Sequence, residues 1–520
     1  MEENKKADEN VKTEQPKESK NIKDEEKEKE KSIPSKVEEP IKPDENSKIK
    51  LEINKETVES NKDLSEDKKD ETKNIEEELK KELAKNKDED ITKLNPEISK
   101  EKSKEIAEKL EKMFKDKKSK EEYKQLQKKA TLFEKHQFWD TQPMPKYADQ
   151  VLKIGLTGDA IEKKTVEQVR QTPYPLPEGF EWCNIDIKSE TEIKELYQLL
   201  AENYVEDTGG YLRFNYSIDF LKWALLPKEY IPDWHVGVRV IKNKLLVGFI
   251  SGIPTMVSID NKEVKSCEIN FLCVHKKLRE HRLAPVLIKE VTRRVNIINI
   301  WQAIYTAGKY LPTPFCECVY FHRNLNVKKL VETNFTSIPP KLNLKRMEKM
   351  YKLPEEVTTP RFRPMLAKDM KAAYELLIQY LSKFTVWIHF DYVEFKHFMK
   401  TTERVVYSYV VYDEDGNITD FVSFYLLPSS LLKNEKHKEL MAGYLFYYAY
   451  TKTELKELVK NCLILAKKYG ADVFNCLNLM DNKKILNELQ FGEGSGNLMY
   501  YLYNWMIGEI KPEELGVVLV

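Results

Sequence analysis

Hydrophobic positions are spread so unevenly along the chain that they divide it before any motif is read. Through about residue 100, single Ile, Val and Leu residues stand among Lys, Glu, Asp, Asn and Ser with neither a helical nor a strand period. No aromatic residue, Cys or His precedes Phe114, and the first Gly is Gly155. Such a segment buries too little apolar area to offset chain entropy, so residues 1–104 are expected to form a disordered, charged tail. At Ile106 the period becomes helical. Ile106, Leu110, Met113 and Phe114 share one face, and Glu105–Lys109, Glu108–Lys112 and Glu111–Lys115 add supporting pairs. The stripe is too short for a coiled coil, so residues 105–130 read as a helical linker.

Globular patterning begins near Thr131. His136 to Pro145 is held extended by its prolines and offers Phe138 and Trp139 for burial. Glu190 to Tyr204 has helical spacing through Ile193, Leu196, Leu199 and Leu200. Val236 to Ile241, Leu245 to Ile253, Val257 to Ile259 and Val264 then read as antiparallel strands. Ile269 to Val274 is almost wholly apolar, as in a strand covered on both faces. It runs into a turn carrying Lys276, Lys277, Arg279 and Arg282, and then into a helix with Pro285 in its first turn. Gln302 to Gly308 reads as a further strand, and a helix follows Asn326.

The second half repeats this plan. Val405 to Tyr412 and Ile418 to Leu427 flank the turn Asp413-Glu-Asp-Gly-Asn417. Leu440 to Tyr450 is a strand, Thr451-x-x-Glu454 reads as the cap of a helix ending at Gly470, and Val473 to Leu477 is another strand. Asn326 to Phe335 and Asn482 to Phe491 share the pattern N-x-K-x-L-x-E-x-[N/Q]-F, which reads as a mark of two copies of one unit. An α+β fold is expected.

Charge and cysteines narrow the function classes. With 86 basic and 86 acidic residues there is no global pull toward nucleic acid or acidic lipid. Seven cysteines, an odd count without a CxxC pair, read as buried free thiols of a reducing compartment. Cys316 and Cys318 alternate as strand neighbours do, with no His at ligand spacing, so no metal site is expected. No apolar signal core opens the chain and no stretch approaches about 18 uninterrupted apolar residues. A soluble, cytoplasmic protein is expected. The strand, cationic turn and helix start at 269–294 combine outward N–H groups, a positive dipole and arginines. That is an anion site, read here as the diphosphate site of an acyl-coenzyme A.

Several segments are specific enough to point to a family. Glu268-Ile-Asn-Phe-Leu-Cys-Val-His275, the run from Lys276 to Pro285, and Gln490-Phe-Gly-Glu-Gly-Ser-Gly-Asn-Leu498 before Tyr500 resemble signatures of the N-myristoyltransferases (glycylpeptide N-tetradecanoyltransferases). Gln137 to Pro143, Tyr204 to Asp207, Arg213 to Tyr216, Tyr305 to Gly308 and Asp472 to Asn475 look like family segments in the family's order, so the likeness spans about residues 133 to 520. The resemblance implies two tandem, pseudo-symmetric acyltransferase (GNAT-like) units in one continuous saddle-shaped globule. Residues 131–345 would be the acyl-CoA-binding unit and 346–520 the peptide-binding unit. It implies myristoyl transfer from myristoyl-CoA, a co-substrate, to the N-terminal glycine of proteins, without a permanently bound cofactor.

Roles follow by the same resemblance. Arg279 and Arg282, with the turn amides, would grip the diphosphate. The CoA site would extend over Gln137, Phe138, Trp139, Phe271, Leu272, Cys273, Val274, Glu280, His281, Leu283, Ala284 and Pro285. Glu280 and His281 replace the Ser and Lys usual between the two arginines, so Glu280 either turns outward or lowers CoA affinity. The main-chain N–H groups of Phe271 and Leu272 would form the oxyanion hole, freed by a bulge or break in the strand. The carboxylate of Val520 would take the proton of the glycine ammonium; its apolar setting, Leu515 to Val520, would make it a better base. Asn270 and Thr306 would place the amine. Tyr204, Val205, Glu206, Asp207, Phe214, Tyr216, Gly308, Tyr320, His322, Ser429, Leu440, Tyr444, Asn475, Ser495 and Leu498 would line the peptide groove. Thr208-Gly-Gly210 stands where relatives are more acidic and Ser495 where they carry Asp, so a weaker demand for a basic substrate residue is expected. The tail is open between a ribosome contact and a solubilising segment, and its mixed charge favours the second. Two other readings stand beside this one: an acetyl-CoA-dependent N-acetyltransferase of the same broad fold, and a non-catalytic acyl-CoA-binding scaffold.

Overall fold

The computed structural model describes residues 136–146, 158–207 and 209–520. The tail expected at 1–104 and the helical linker expected at 105–130 lie outside the described residues. The strands are β1 (Phe180–Asn184), β2 (Leu212–Phe214), β3 (His235–Val240), β4 (Leu246–Ile259), β5 (Lys262–Val274), β6 (Gln302–Ala307), β7 (Cys316–Asn324), β8 (Phe362–Pro364), β9 (Val386–Ile388), β10 (Val406–Tyr412), β11 (Ile418–Leu431), β12 (Glu439–Tyr450), β13 (Val473–Leu477), β14 (Gly492–Tyr503) and β15 (Leu515–Gly516). The helices are α1 (Glu190–Asn203), α2 (Ile218–Leu225), α3 (Leu283–Ile297), α4 (Val327–Glu332), α5 (Leu344–Met350), α6 (Met370–Leu381), α7 (Tyr392–Met399) and α8 (Leu455–Lys468).

One sheet runs β1-β3-β4-β5-β6-β14-β7-β13-β12-β11-β10-β8. From its centre, where β14 and β7 pair antiparallel, the two directions match: β6 and β13, then β5 and β12, β4 and β11, β3 and β10, β1 and β8. Each direction contains one parallel pair, β5 with β6 and β12 with β13, and α3 and α8 supply the crossovers that parallel neighbours require. The halves also exchange strands. β14 inserts beside β6 and β7 beside β13, while β2 pairs with the end of β11 and β9 with the end of β4. A core cluster that draws on both halves follows from this interlocking. A second cluster lies between β3, β4, β5 and α3.

Three expectations need correction. The strands read at Leu245–Ile253 and Val257–Ile259 are one strand, β4, and β5 begins at Lys262 after the two-residue turn Asp260-Asn261 (φ 47° and 63°), a hairpin geometry that Asp and Asn tolerate. Pro254 interrupts nothing, because it falls between Ser251, where β3 stops pairing with β4, and Val257, where β9 starts. The helix after Thr451 is not capped by that residue; α8 begins after Glu454, and the Thr451 and Thr453 hydroxyls go to Thr419 O and Asp420. The shared pattern at Asn326 and Asn482 does not mark equivalent places: the first follows β7 and opens α4, whereas the second lies between β13 and β14 and forms only a single 3-10 turn. The repeat is carried by pairing topology instead.

Candidate active site

The centre of the site is a bulge in β5. Cys273 faces Phe249 and Asn270 faces Ser251, so Phe271 and Leu272 together oppose Ile250. Phe271 takes φ 52°, a left-handed conformation held by burial of its ring against Tyr216 at 5.1 Å. The bulge thus sets two adjacent amides, those of Phe271 and Leu272, opposite a single partner residue. One is not empty: Phe271 N donates to the side-chain oxygen of its neighbour Asn270 at 2.8 Å.

The same Asn270 reaches the end of the chain, since its amide nitrogen donates to Val520 O. The route there is fixed residue by residue. β15 pairs with β9, and Gly516 passes so close to Phe384 and Trp387 that a Cβ would lie 2.9 Å from each. The Tyr500 hydroxyl donates to Val517 O at 3.1 Å, and the Tyr447 hydroxyl donates to Val518 O at 3.2 Å and accepts from Val518 N at 2.9 Å. Leu515 and Val517 are fully buried, while Val518, Leu519 and Val520 pack half-buried against the core. The apolar end noted in the sequence is therefore the part that anchors it. Thr306, on β6 opposite Tyr500, makes no side-chain hydrogen bond among the described residues and is not joined to Asn270 or Val520.

The cationic turn after β5 is a 3-10 segment, Lys276–His281, and α3 starts at Leu283 behind Arg282, which has φ 55°. Arg279, Glu280, His281 and Arg282 are exposed, and Leu283 is buried beneath them with Ala284 and Pro285 partly covered. The turn docks on the end of α1. Lys276 N donates to Asn203 Oδ1 at 3.0 Å and Arg279 Nη2 donates to Asn203 O at 2.5 Å. Arg279 is thus partly committed to holding the turn in place. Burial pushes the Cys273 thiol up to about 12, against the pull of Arg279 and Lys276, so it is no thiolate nucleophile. Val274 closes the strand, buried in the second core cluster.

Before the turn, Trp139 stacks on Tyr305 at 5.7 Å and Tyr305 on Tyr501 at 4.9 Å. Phe138 meets Trp139 edge-on at 5.0 Å. Phe138 and Trp139 are half-buried and Gln137 is exposed, so this strip lies along β6 and β14 with a face still open.

Peptide-groove candidates converge around an aromatic cluster. Tyr204 and Phe214 each lie 5.8 Å from Tyr216, and Tyr425 stacks on Tyr444 at 5.0 Å. Burial raises the Tyr444 phenol to about 12. His322 Nδ1 is 2.7 Å from Asn475 Oδ1, and burial holds this imidazole below its ordinary range despite that contact. The glycine signature is explained here. A Cβ on Gly494 would lie 2.4 Å from His322 Nε2, and residues 494–496 loop out between Glu493 opposite Phe321 and Asn497 opposite Val319. Ser495 and Gly308 are exposed, Leu498 and Tyr320 half-buried. Ser429 faces Phe214 and Leu440 across its two ladders. Leu440 itself is 2 % exposed in a satellite core with Leu330, Leu431 and Val473, so its side chain is spent on packing.

The loop after α1 behaves differently from a free acidic lip. Glu206 Oε1 accepts from Arg213 Nη2 at 2.6 Å and from Lys276 Nζ at 2.7 Å, which holds its carboxyl down at about 2. Asp207 is used within the loop, accepting from Tyr211 N at 2.6 Å and Leu212 N at 2.7 Å. Val205 O accepts from Phe214 N, tying the loop to the groove. The link from Lys276 through Glu206 to Arg213 was not legible in the sequence, nor were the roles of Tyr447 and Tyr500; only the density of tyrosines in β12 and β14 hinted at the latter.

Comparison with known proteins agrees with this geometry. Residues 160–318 match the family model of the myristoyl-CoA:protein N-myristoyltransferase N-terminal domain, and residues 332–518 match that of its C-terminal domain. The chain is 49% identical over 385 residues to glycylpeptide N-tetradecanoyltransferase 2 of Danio rerio, covering 74% of this chain and 77% of that one. It is 47% identical over 387 residues to the glycylpeptide N-tetradecanoyltransferase of Dictyostelium discoideum, covering 74% and 92%. Among solved structures, Saccharomyces cerevisiae N-myristoyltransferase with bound myristoyl-CoA aligns with a TM-score of 0.71 at 40% identity, covering 74% of this chain and all of that one. The chain belongs to the myristoyl-CoA:protein N-myristoyltransferase family.

Proposed function

We propose that this chain transfers a myristoyl group from myristoyl-CoA to the N-terminal glycine amine of polypeptides, as a glycylpeptide N-tetradecanoyltransferase. The observation that carries the mechanism is Asn270, which joins Val520 O to the amide of Phe271 and so puts base and oxyanion donors on one residue. The Val520 carboxylate takes a proton from the glycine ammonium. The amine attacks the thioester carbonyl, and the charge that develops on oxygen is met by Phe271 N and Leu272 N once the Asn270 side chain yields the first of them. Collapse expels the CoA sulfur, which takes up the second proton of the attacking amine and leaves as the thiol. Each preorganised donor is worth on the order of 10²–10³ in rate. Arg279, Arg282 and the turn amides take the diphosphate, and the Trp139–Tyr305 strip lines the way in. Because Glu206 is paired and Asp207 is used by its own loop, the groove mouth makes little demand for a basic substrate residue.

A mass assay tests the reading: purified protein, myristoyl-CoA or acetyl-CoA, and a peptide beginning Gly-Asn. Gain of a tetradecanoyl group is the expected result. Gain of acetyl alone supports an acetyltransferase, and tight CoA binding with no gain supports a scaffold. The reading places the enzyme in the cytoplasm, where its seven free thiols stay reduced. The Lys/Glu-rich segment ahead of residue 105 is the candidate for a ribosome contact; full-length and truncated proteins that co-sediment equally with ribosomes refute that part.

A further inference from the structure

Beyond Gly516 the chain leaves the sheet: β15 pairs with β9 through Leu515 and Gly516, and among the described residues no strand pairs with 517–520. Side chains hold that backbone instead. Tyr500 takes one atom, Val517 O, and Asn270 meets the far end at Val520 O. Tyr447 takes both polar backbone atoms of Val518, donating to its O at 3.2 Å while accepting from its N at 2.9 Å. A hydroxyl that grips the donor and the acceptor of one residue fixes how that residue is turned. Val518 stands roughly 7 Å of extended chain before the terminal carboxylate, so its orientation sets where that carboxylate can reach. The hydroxyl is itself aimed by the second half. Phe446 and Tyr447 both oppose Ser423, a bulge that breaks strand alternation and redirects the side chain. Ser423 secures the Tyr447 backbone through its hydroxyl. The fully buried ring meets Phe446 edge-on at 4.7 Å and Phe390 at 5.0 Å. Burial keeps the phenol above its ordinary value, so its proton stays on oxygen for Val518 O.

We propose that Tyr447 is a positioning residue for the base: its hydroxyl, held by the Ser423 bulge, turns Val518 so that the Val520 carboxylate lies against Asn270, a role that rests on the transfer reading above. The hydroxyl acts through the chain end and takes no part in the chemistry itself. Without it, Val518, Leu519 and Val520 keep their apolar packing but lose the bonds that orient them. A reacting group misplaced by about 1 Å can cost on the order of 10²-fold in rate. Binding of myristoyl-CoA and of the peptide draws on other groups and is spared.

The test is a double-mutant cycle in the full chain: the unaltered protein, Tyr447→Phe, the protein extended by residues added after Val520, and the extended protein carrying Tyr447→Phe. Each is loaded with myristoyl-CoA and mixed with a saturating peptide beginning Gly-Asn, and single-turnover amide formation is followed. In the unaltered background Tyr447→Phe is expected to slow transfer by roughly 5- to 30-fold, with the Kd of myristoyl-CoA and the KM of the peptide unchanged. In the extended protein, whose carboxylate is already displaced, the same substitution is expected to change nothing further. An equal loss in both backgrounds overturns the proposal, because a hydroxyl that only supports the fold would slow either protein. No loss in the unaltered background overturns it as well. Should Tyr447→Phe fail to fold, Ser423→Ala in the same two backgrounds carries the same comparison. Normal turnover by the extended protein overturns the proposal together with the carboxylate's role as base, whereas absence of any transfer by the unaltered protein refutes the function itself.

Discussion

On β5 the bulge opposite Ile250 turns Phe271 to φ 52° and sets two amides against one partner residue; on β12 the matching bulge, Phe446–Tyr447 opposite Ser423, is closed from within. The Ser423 hydroxyl donates to Tyr447 O at 2.7 Å and accepts from Tyr447 N at 3.1 Å. The turns that follow differ in the same sense. After β5, Arg279 and Arg282 are exposed, and the first amides of the turn, Lys276, Lys277 and Leu278, go only to Asn203 and His275. After β12, the buried Asp420 carboxylate accepts from Thr451 N at 2.7 Å, Lys452 N at 3.1 Å and Thr453 N at 3.2 Å, filling the nest that an external anion would take. At the position matching Asp420, β4 carries Val247, which offers the turn only its backbone, as acceptor for His275 N. One backbone plan thus yields one copy that is open and is proposed above to take the acyl-CoA. Two side chains, Ser423 and Asp420, close the other copy, and the strand freed there holds the chain end through Tyr447 for use in the first. The copies have specialised, and each can be broken separately.

The largest effect should come from the part the second half lends to the first. Two or three residues added after Val520 displace its carboxylate from Asn270, and the rate of transfer should fall by at least about 100-fold, the usual worth of a positioned base. Binding of myristoyl-CoA, measured by calorimetry, should be nearly unchanged because the turn is untouched. Normal turnover in the extended protein would falsify the role of the chain end.

Next is the internal anion. Asp420→Ala leaves the amides of Thr451, Lys452 and Thr453 and the Thr453 hydroxyl without their acceptor, while the Thr419 hydroxyl keeps Val411 O at 3.3 Å. A loss of about 3 kcal/mol or more is expected, seen as a lowered denaturant midpoint. Phosphate or sulfate should restore part of that stability by entering the emptied nest. If Asp420→Ala is as stable as the parent, the nest is not what organises the start of α8. Ser423→Ala is the milder version, removing one buried hydroxyl with two partners for about 1 kcal/mol. Its outcome separates a bulge that needs plugging from one that merely has a plug.

How much of this was legible in the sequence differs between the two halves for a physical reason. Apolar runs such as Ile269 to Val274 and turn residues such as Asp413 to Asn417 declare themselves locally, so strands, hairpins and the cationic turn could be placed. A bulge or break at Phe271 and Leu272 was expected, but only by resemblance, because a bulge is a matter of register between β4 and β5 and not of composition. The closure of the second copy depends on Asp420 meeting Thr451 and Ser423 meeting Tyr447, contacts between residues more than twenty positions apart. Thr451 read as a helix cap for the same reason: its preferred local role is overridden by a carboxylate from the neighbouring strand. Likewise Glu206 reads as an acidic lip until Arg213 and Lys276 are brought to it. The shared pattern at Asn326 and Asn482 misled because two Lys-rich turns can agree without being equivalent.

Where the halves meet, Glu268 from the first faces Glu394 from the second, and burial raises both carboxyls to about 7. For Glu394 the sign follows from its being raised above its unfolded value of 4.5. The native state holds the proton more tightly between those two values, so the contribution to stability is present at low pH and is lost as pH rises through that window. Glu394→Gln should therefore gain on the unaltered protein in thermal stability from pH 5 to pH 8, despite disturbing the Asp391–Glu394 cap. A gap that does not change with pH would show that the two carboxyls are not coupled to the fold.

The smallest effect concerns the turn of the first half, where an acidic residue stands among the arginines proposed to meet phosphates. Glu280 is exposed and joins no ion pair among the described residues, so of the two alternatives open in the sequence, the structure supports the outward-turned side chain. Its charge then acts on a bound diphosphate only through solvent, at a cost of a few tenths of a kcal/mol that salt screens. Glu280→Ser should tighten myristoyl-CoA binding by no more than about 3-fold at low ionic strength, with the gain fading in 0.5 M salt. The matching place in the second half needs no such test, since Asp420 already occupies its nest. A tightening of 10-fold or more that persists at high salt would mean that Glu280 turns inward on the ligand, and that the first copy, like the second, carries part of an internal plug.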